Sequence, residues 1–297
     1  MSQEEYACAL RAGTFLHEYE IKSVLGMGNF GVTYLAHDSE LQMAVAIKEY
    51  FPSQFAIRKP DRSVSVKSSA DRIDYISGLD GFRREAQTLA HFDHPNIVRV
   101  LRSFEANNTS YMVMEFEEGH SLRETIVGSD GPPSEESLRR ILLPLLDGLL
   151  HVHQAGFMHR DIKPCNIYLR KNGTPALLDF GSARVALFSQ TAHATTFVTP
   201  GFTPLEQYAC DGNQGTWSDI YALGGVFYLL TTGRMPVEAP ARAIKDGQVP
   251  ARLLGRRHFG EDFLRAIDRA LAVHASKRLQ SSEEWLSLVN ESAALAR

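Results

Sequence analysis

His159-Arg160-Asp161-Ile162-Lys163-Pro164-Cys165-Asn166, followed by Asp179-Phe180-Gly181, sets four chemically different groups at fixed offsets in one short stretch. Asp161 is a candidate base or orienter for an attacking hydroxyl, and Lys163 is a cation able to steer a phosphate. Asn166 and Asp179 offer hard oxygen ligands of the kind magnesium prefers. Singly, each is an ordinary polar loop residue. Together at these spacings they are hard to ascribe to chance, so the remainder of the chain should supply groups that hold a phosphate.

The 297 residues suffice for one large domain or two medium ones, and a 44% hydrophobic content supports real cores. A formal net charge of −4 gives no global attraction to nucleic acid or an anionic membrane, so any phosphate binding must be local. Cys8, Cys165 and Cys210 are widely separated, which argues against a disulfide framework or a zinc site and for a reducing cytoplasm. The amino terminus has no basic segment leading into an apolar core and does not read as a secretory signal. The best membrane candidate, residues 220–230, falls far short of the roughly 20 residues needed to span a bilayer and reads instead as a buried helix. No internal repeat or low-complexity tract is present.

Residues 20–25, 32–36 and 43–48 are short β-prone runs. Between the first two lie Gly26, Gly28 and Gly31. Glycines at such offsets let a hairpin backbone approach phosphates, although a plain hairpin would look the same. Lys48 closes the strand Val45-Ala46-Ile47-Lys48, and Glu85 falls in a helical stretch expected over 79–92. A lysine held by a glutamate can fix the α- and β-phosphates, where a free lysine would lose entropy on binding. The bland alternative is a surface ion pair, worth about 0–1 kcal/mol.

The interval from Lys48 to Glu85 far exceeds the about 4–6 residues usual between elements. Residues 55–58 and 63–66 flank the turn Lys59-Pro60-Asp61-Arg62, so an extra hairpin is expected there. It would position the helix carrying Glu85, dock a partner, or merely decorate the surface.

Residues 112–117 read as a buried strand running into a connector. Backbone groups at Glu115 and Glu117 could pair with an adenine edge, and Met114 would line the back of that pocket or be plain core. Residues 134–154 form an expected helix, with Ser134 as its cap, Glu135 and Glu136 at its positive end, and leucines at helical spacing. His151 and His153 point to different faces of it and make a poor metal pair.

The catalytic run, the glycine turn and Val45-Ala46-Ile47-Lys48 resemble the eukaryotic-type protein serine/threonine kinase family, over nearly the whole chain. The likeness continues in Thr199-Pro200-Gly201-Phe202-Thr203-Pro204-Leu205-Glu206, similar to the end of an activation segment, and in Asp219-Ile220-Tyr221-Ala222-Leu223-Gly224, similar to the helix that anchors the catalytic loop. The long insertion and the Pro204-Leu205-Glu206-Gln207 wording look most like the bacterial branch.

The resemblance implies an α+β, two-lobed fold. A small, mainly antiparallel β lobe and hinge would span 1–117, with an insertion over about 50–78, and a larger helical lobe would span 118–297. It implies catalysis by Asp161, Lys163, Lys48 and Glu85, and metal ligation by Asn166 and Asp179. It places ATP on Gly26, Gly28, Gly31, Thr33, Ala46, Lys48, Met114, Glu115, Glu117 and Tyr168. Glu206 and Arg278 would form a buried ion pair, and Asp219 would be structural. Leu89, Val100, His159 and Phe180 would form an apolar stack.

The implied cofactors are ATP and Mg2+, with Mn2+ as an alternative. The implied partners are proteins with serine or threonine acceptors, without nucleic acid and without a membrane segment. A pseudokinase scaffold or ATP-binding regulatory module is the alternative function, although no catalytic residue is missing to motivate it. Thr195 and Thr196 are the preferred regulatory phosphorylation sites, because Thr199 looks reserved for contacting Asp161 and Lys163. The chain departs from the common pattern at Asn29, Thr33, Cys165 and Tyr168, which puts nucleotide packing and a preference for basic peptides in doubt.

Overall fold

Alternating β-branched and aromatic residues build the first unit. β1 (Phe15–Leu16), β2 (Tyr19–Met27), β3 (Gly31–Asp38) and β4 (Met43–Tyr50) follow one another and extend beyond the three runs expected from sequence. A hairpin comes next, β5 (Ala56–Arg58) and β6 (Val64–Val66), as the turn chemistry of residues 59–62 implied. The helix carrying Glu85, α1 (Arg72–Leu89), begins earlier than residue 79, so the insertion before it ends near residue 71 rather than 78. β7 (Val100–Ala106) and β8 (Thr109–Glu115) complete an antiparallel six-stranded sheet in the order β1-β2-β3-β4-β8-β7.

The computed structural model describes residues 8–128, 131, 133–181, 198–209 and 212–295. The chain divides into two units, the second taking over after Glu117 and also including His94–Ile97. The second unit opens with β9 (Gly119–Ser121) and α2 (Leu122–Val127), whose capping box joins Ser121 to Glu124. The post helix α3 (Glu135–Gln154) starts where Ser134 accepts a hydrogen bond from the Ser137 amide. β10 (Ile167–Arg170) lies between β9 and β11 (Pro175–Leu177).

The apolar run at 220–230 sits inside α4 (Thr216–Thr232), which is buried on nearly every side, as an all-round hydrophobic helix must be. Gly233 ends it at φ +69°, a left-handed cap that glycine adopts without strain. Beyond it come α5 (Ala239–Ile244), α6 (Ala251–Leu254), α7 (Glu261–Ala270) and α8 (Ser282–Leu295). Leu142, Leu146, Leu223, Phe227, Ile267 and Trp285 belong to the one core on which these helices close. Among the described residues, no helix is long and apolar enough to cross a membrane.

Candidate active site

In the first unit the sheet register aligns the expected nucleotide residues. Gly26, Thr33, Lys48 and Met112 lie opposite one another across β2, β3, β4 and β8, and Ala46 pairs with Met114 two positions along. Directly opposed residues share a face and side chains alternate along a strand, so Thr33, Ala46, Lys48 and Met114 all point the same way. The Gly28 amide donates to the Gly31 carbonyl at 2.9 Å and closes the glycine turn.

The three glycines serve different ends. A Cβ on Gly31 would lie 2.2 Å from the Glu49 carbonyl oxygen, so the neighbouring strand alone requires glycine there. Gly26 and Gly28 have nothing within 4 Å of that position, which leaves open space beside the backbone there. At the other end of the sheet the Glu115 amide donates to the Arg99 carbonyl at 3.0 Å. That amide is therefore committed within the unit.

Lys48 Nζ lies 3.2 Å from Glu85 Oε1, with the Glu85 side chain only 2% exposed. Tyr50, two residues on and on the same face, packs its ring against Tyr75 and Phe82 of α1 at 5.4 and 5.8 Å. These rings seat the helix that presents Glu85. The expected ion pair is thus formed, and it is not a surface pair.

In the second unit the run 159–166 is a tight loop with a short 3-10 turn at Pro164–Asn166. Lys163 Nζ donates to Asp161 Oδ2 at 2.8 Å. Asn166 Nδ2 donates to the same oxygen at 3.0 Å and to the Asp161 carbonyl at 2.9 Å. The Asn166 amide oxygen therefore faces away from Asp161, and among the described residues the Cys165 thiol, at 3.6 Å, is what reaches it.

The Leu178 amide donates to the Asn166 carbonyl at 2.9 Å, which holds Asp179 next to Asn166 in space. The Gly181 amide binds the His159 carbonyl at 2.8 Å, and a Cβ on Gly181 would come within 3.2 Å of the Asp161 Cβ. The Asn166 amide oxygen and the Asp179 carboxylate are a donor set of the kind that fits a hard divalent cation.

Two residues of this loop carry backbone strain: Arg160 at φ +67° and Asp179 at φ +51°. Asp219, at the start of α4, holds the first of them. Its carboxylate accepts from the His159 amide at 2.8 Å, the Arg160 amide at 2.7 Å and His153 Nε2 at 2.9 Å. Gln207 Nε2 donates to the Arg160 carbonyl at 3.3 Å. Burial alone would raise the Asp219 carboxyl, but the His153 hydrogen bond, the nearby imidazoles and the Arg160 amide outweigh it and hold the group below its ordinary value. Burial pushes the His159 imidazole below its ordinary value, against the pull of the Asp219 and Asp161 carboxylates.

Because the folded carboxyl is the stronger acid, its contribution to stability is complete above the unfolded value near about 4 and is lost as pH falls through the lower folded one. The stability difference between wild type and Asp219→Asn, from urea midpoints, is expected to shrink on going from pH 6 to pH 3. A difference constant across that range would refute the assignment.

Other expected residues take these places. His159 stacks on Phe180 with ring centroids 4.5 Å apart, and Leu89 is buried within the first unit. Val100 is half-buried on β7. The Tyr168 ring lies over Gly119, where a Cβ would come within 2.7 Å of Tyr168 Cε1. The Thr199 amide is held by the Thr203 hydroxyl at 2.9 Å. Thr195 and Thr196 lie outside the described residues.

Glu206 and Arg278 form the expected buried pair at 2.7 Å. His151 stacks on His94 at 5.3 Å, while His153 serves Asp219, a role no sequence signal marked. Sequence reasoning also passed over Glu49 and Arg58, which pair with each other in the interior of the first unit.

Residues 19–288 match the family described as protein kinase domain. The chain is 36% identical over 224 residues to serine/threonine-protein kinase PrkC of Bacillus subtilis, covering 74% of this chain and 31% of that protein. It is 31% identical to serine/threonine-protein kinase PknB of Mycobacterium leprae, covering 90% of this chain and 41% of that one. The chain therefore spans well under two thirds of these relatives' lengths. A solved structure described as the PpkA-294 apo form superposes with a TM-score of 0.89 at 37% identity, covering 95% of this chain and all of that one. With its β-sheet unit, its helical unit and both sets of motif residues in place, the chain belongs to the protein kinase domain family, in the eukaryotic-type serine/threonine group as bacteria carry it.

Proposed function

We propose that this chain is an active protein serine/threonine kinase, transferring the γ-phosphoryl group of ATP, with magnesium or alternatively manganese, to serine and threonine hydroxyls. The observation that carries this reading is the Asp161 carboxylate gripped by Lys163 and Asn166, together with a formed Lys48–Glu85 pair in the other unit. Two relatives with matching sequence are named serine/threonine-protein kinases, which supports the same acceptor class.

Bound Mg-ATP supplies the transferable phosphoryl group and a cation that draws charge from its oxygens. The protein's part is positioning and charge stabilisation. Lys48, fixed by Glu85, binds phosphate oxygens, and the open backbone at Gly26 and Gly28 permits their close approach. Asn166 and Asp179 would hold the cation. Asp161 orients the acceptor hydroxyl and takes its proton as the new O–P bond forms and the bond to ADP breaks, while Lys163 meets the charge redistributed over the phosphoryl oxygens. Thr195 and Thr196 are the proposed sites of self-modification. The net charge of −4 and the cysteine spacing support a cytoplasmic enzyme acting on proteins rather than on nucleic acid.

The test is incubation of the purified chain with Mg-ATP and a generic acceptor protein, following phosphoserine and phosphothreonine by mass spectrometry. Lys48→Met is expected to lower the rate about 10²-fold by misplacing the phosphates. Equal signal from both proteins would defeat the proposal.

A further inference from the structure

The hairpin inserted between β4 and α1 sends the charged Arg58 side chain into the interior of the first unit. The Arg58 guanidinium sits 2.5 Å from Glu49 Oε2, with its own side chain 9% exposed and that of Glu49 fully buried. The Glu49 carboxylate also accepts from the Tyr34 hydroxyl at 2.7 Å and from the Tyr111 hydroxyl at 2.7 Å. Each phenol is oriented in turn, Tyr34 by the Leu10 amide at 3.1 Å and Tyr111 by Asn107 Nδ2 at 2.9 Å. Arg58 is fixed by the carbonyls of Cys8 and Arg62 and lies over the Phe51 ring at 4.9 Å. One carboxylate thus ties together the inserted hairpin, the segment before β1, β3 and β8.

Glu49 directly follows Lys48 in β4, on the opposite face of the sheet. The hairpin reaches the other half of the Lys48–Glu85 pair as well. The Val64 amide donates to the Asn107 carbonyl at 2.7 Å, in the turn between β7 and β8. The Tyr75 hydroxyl of α1 donates to Asn108 in that same turn at 2.8 Å, and the Tyr50 hydroxyl donates to the Tyr75 carbonyl at 3.1 Å. Both partners of the ion pair are therefore braced against one hairpin.

We infer that Arg58 and Glu49 are positioning residues for Lys48, and that the insertion sets the geometry of the Lys48–Glu85 pair. A buried carboxylate is tolerated only while it is paired and hydrogen-bonded. Without Arg58, the buried Glu49 carboxylate loses its charged partner and turns toward water, which moves the β4 backbone one residue from Lys48. The Lys48–Glu85 contact is 3.2 Å, near the long end of a hydrogen bond, so a shift well under an ångström weakens it.

The effect on phosphoryl transfer rests on the kinase reading proposed above, whereas the effect on Lys48 does not, and the experiment separates the two. The Nζ resonance of Lys48 is recorded by NMR in wild type, Arg58→Met, Arg58→Lys and Glu85→Gln, alongside the melting temperature and kcat and KM for ATP. Arg58→Met is expected to move the Lys48 resonance toward that of Glu85→Gln and to lower kcat/KM for ATP about 10- to 100-fold. Arg58→Lys, which keeps the charge and loses the fork, should fall between. If Arg58→Met does not fold, Arg58→Lys and the double variant Glu49→Gln with Arg58→Met carry the same readouts. A lowered melting temperature with the Lys48 resonance and kcat/KM at wild-type values would overturn the inference. Should wild type itself transfer no phosphate, the kinase reading fails while the resonance still decides the positioning role.

Discussion

Asp161→Asn is expected to lower phosphoryl transfer by about 10²–10⁴-fold, the range attributed to a positioned acid–base group, with little change in folding. The substitution is nearly isosteric, and the bond from Asn166 Nδ2 to the carbonyl of residue 161, 2.9 Å in the native chain, does not involve the altered side chain. What changes is the chemistry at Oδ2, which receives Lys163 Nζ at 2.8 Å and Asn166 Nδ2 at 3.0 Å. An amide can offer one oxygen to these two donors, but it has no charge to hold the ammonium and no basic site to take a hydroxyl proton. The loss should therefore appear in kcat, with KM for ATP close to wild type. Initial rates of phosphoserine and phosphothreonine formation, alongside a melting curve, check both halves. Undiminished transfer by a folded Asp161→Asn protein would remove Asp161 from the reaction.

Asp161, Lys163, Asn166 and Asp179 were legible in the sequence because each combination of residue type and spacing has a separate chemical purpose, and the structure brings 161, 163 and 166 into direct contact. β2, β3 and β4 were legible as β-prone runs, β5 and β6 from the turn between them, and α3 from its Ser134 cap and leucine spacing. The first turns of α1 were not. Ile73 and Ile76 are exposed while Gly78 and Gly81 are buried, so the usual apolar stripe is inverted there and two glycines interrupt the helical signal. Glu49 was illegible for another reason. A glutamate next to a lysine on a strand looks like one more charge facing water, and its three partners, Tyr34, Arg58 and Tyr111, come from separate elements that only the fold brings together. The strain at Arg160 and the triple acceptance by Asp219 share this character: a motif marks the positions, but the hydrogen bonds that make them necessary are tertiary.

Arg278→Ala should destabilise the second unit by about 3–5 kcal/mol, the cost of leaving one half of a buried ion pair behind. Arg278 has no exposed side-chain surface, and every nitrogen of its guanidinium is engaged. Nη1 donates to Glu206 Oε1 at 2.7 Å and to the Trp217 carbonyl at 2.9 Å. Nη2 donates to Glu206 Oε2 at 3.4 Å and to the Val273 carbonyl at 2.9 Å, and Nε donates to the Ala272 carbonyl at 3.0 Å. Its flat face lies over the Tyr221 ring at 4.7 Å. Alanine would strip three backbone carbonyls of this donor and leave the Glu206 carboxylate, among the described residues, with the Ser218 hydroxyl at 2.8 Å as its remaining side-chain partner. Arg278→Lys restores a charge without the planar fork, so it should recover only part of the loss. Both tryptophans of the chain, Trp217 and Trp285, fall in this unit, so urea unfolding followed by tryptophan fluorescence reports on it directly. A loss below about 1 kcal/mol for Arg278→Ala, the scale of an exposed pair, would mean that Glu206 and the three carbonyls find other partners, and that this ion pair does not anchor the segment ending at Glu206 to the helices behind it.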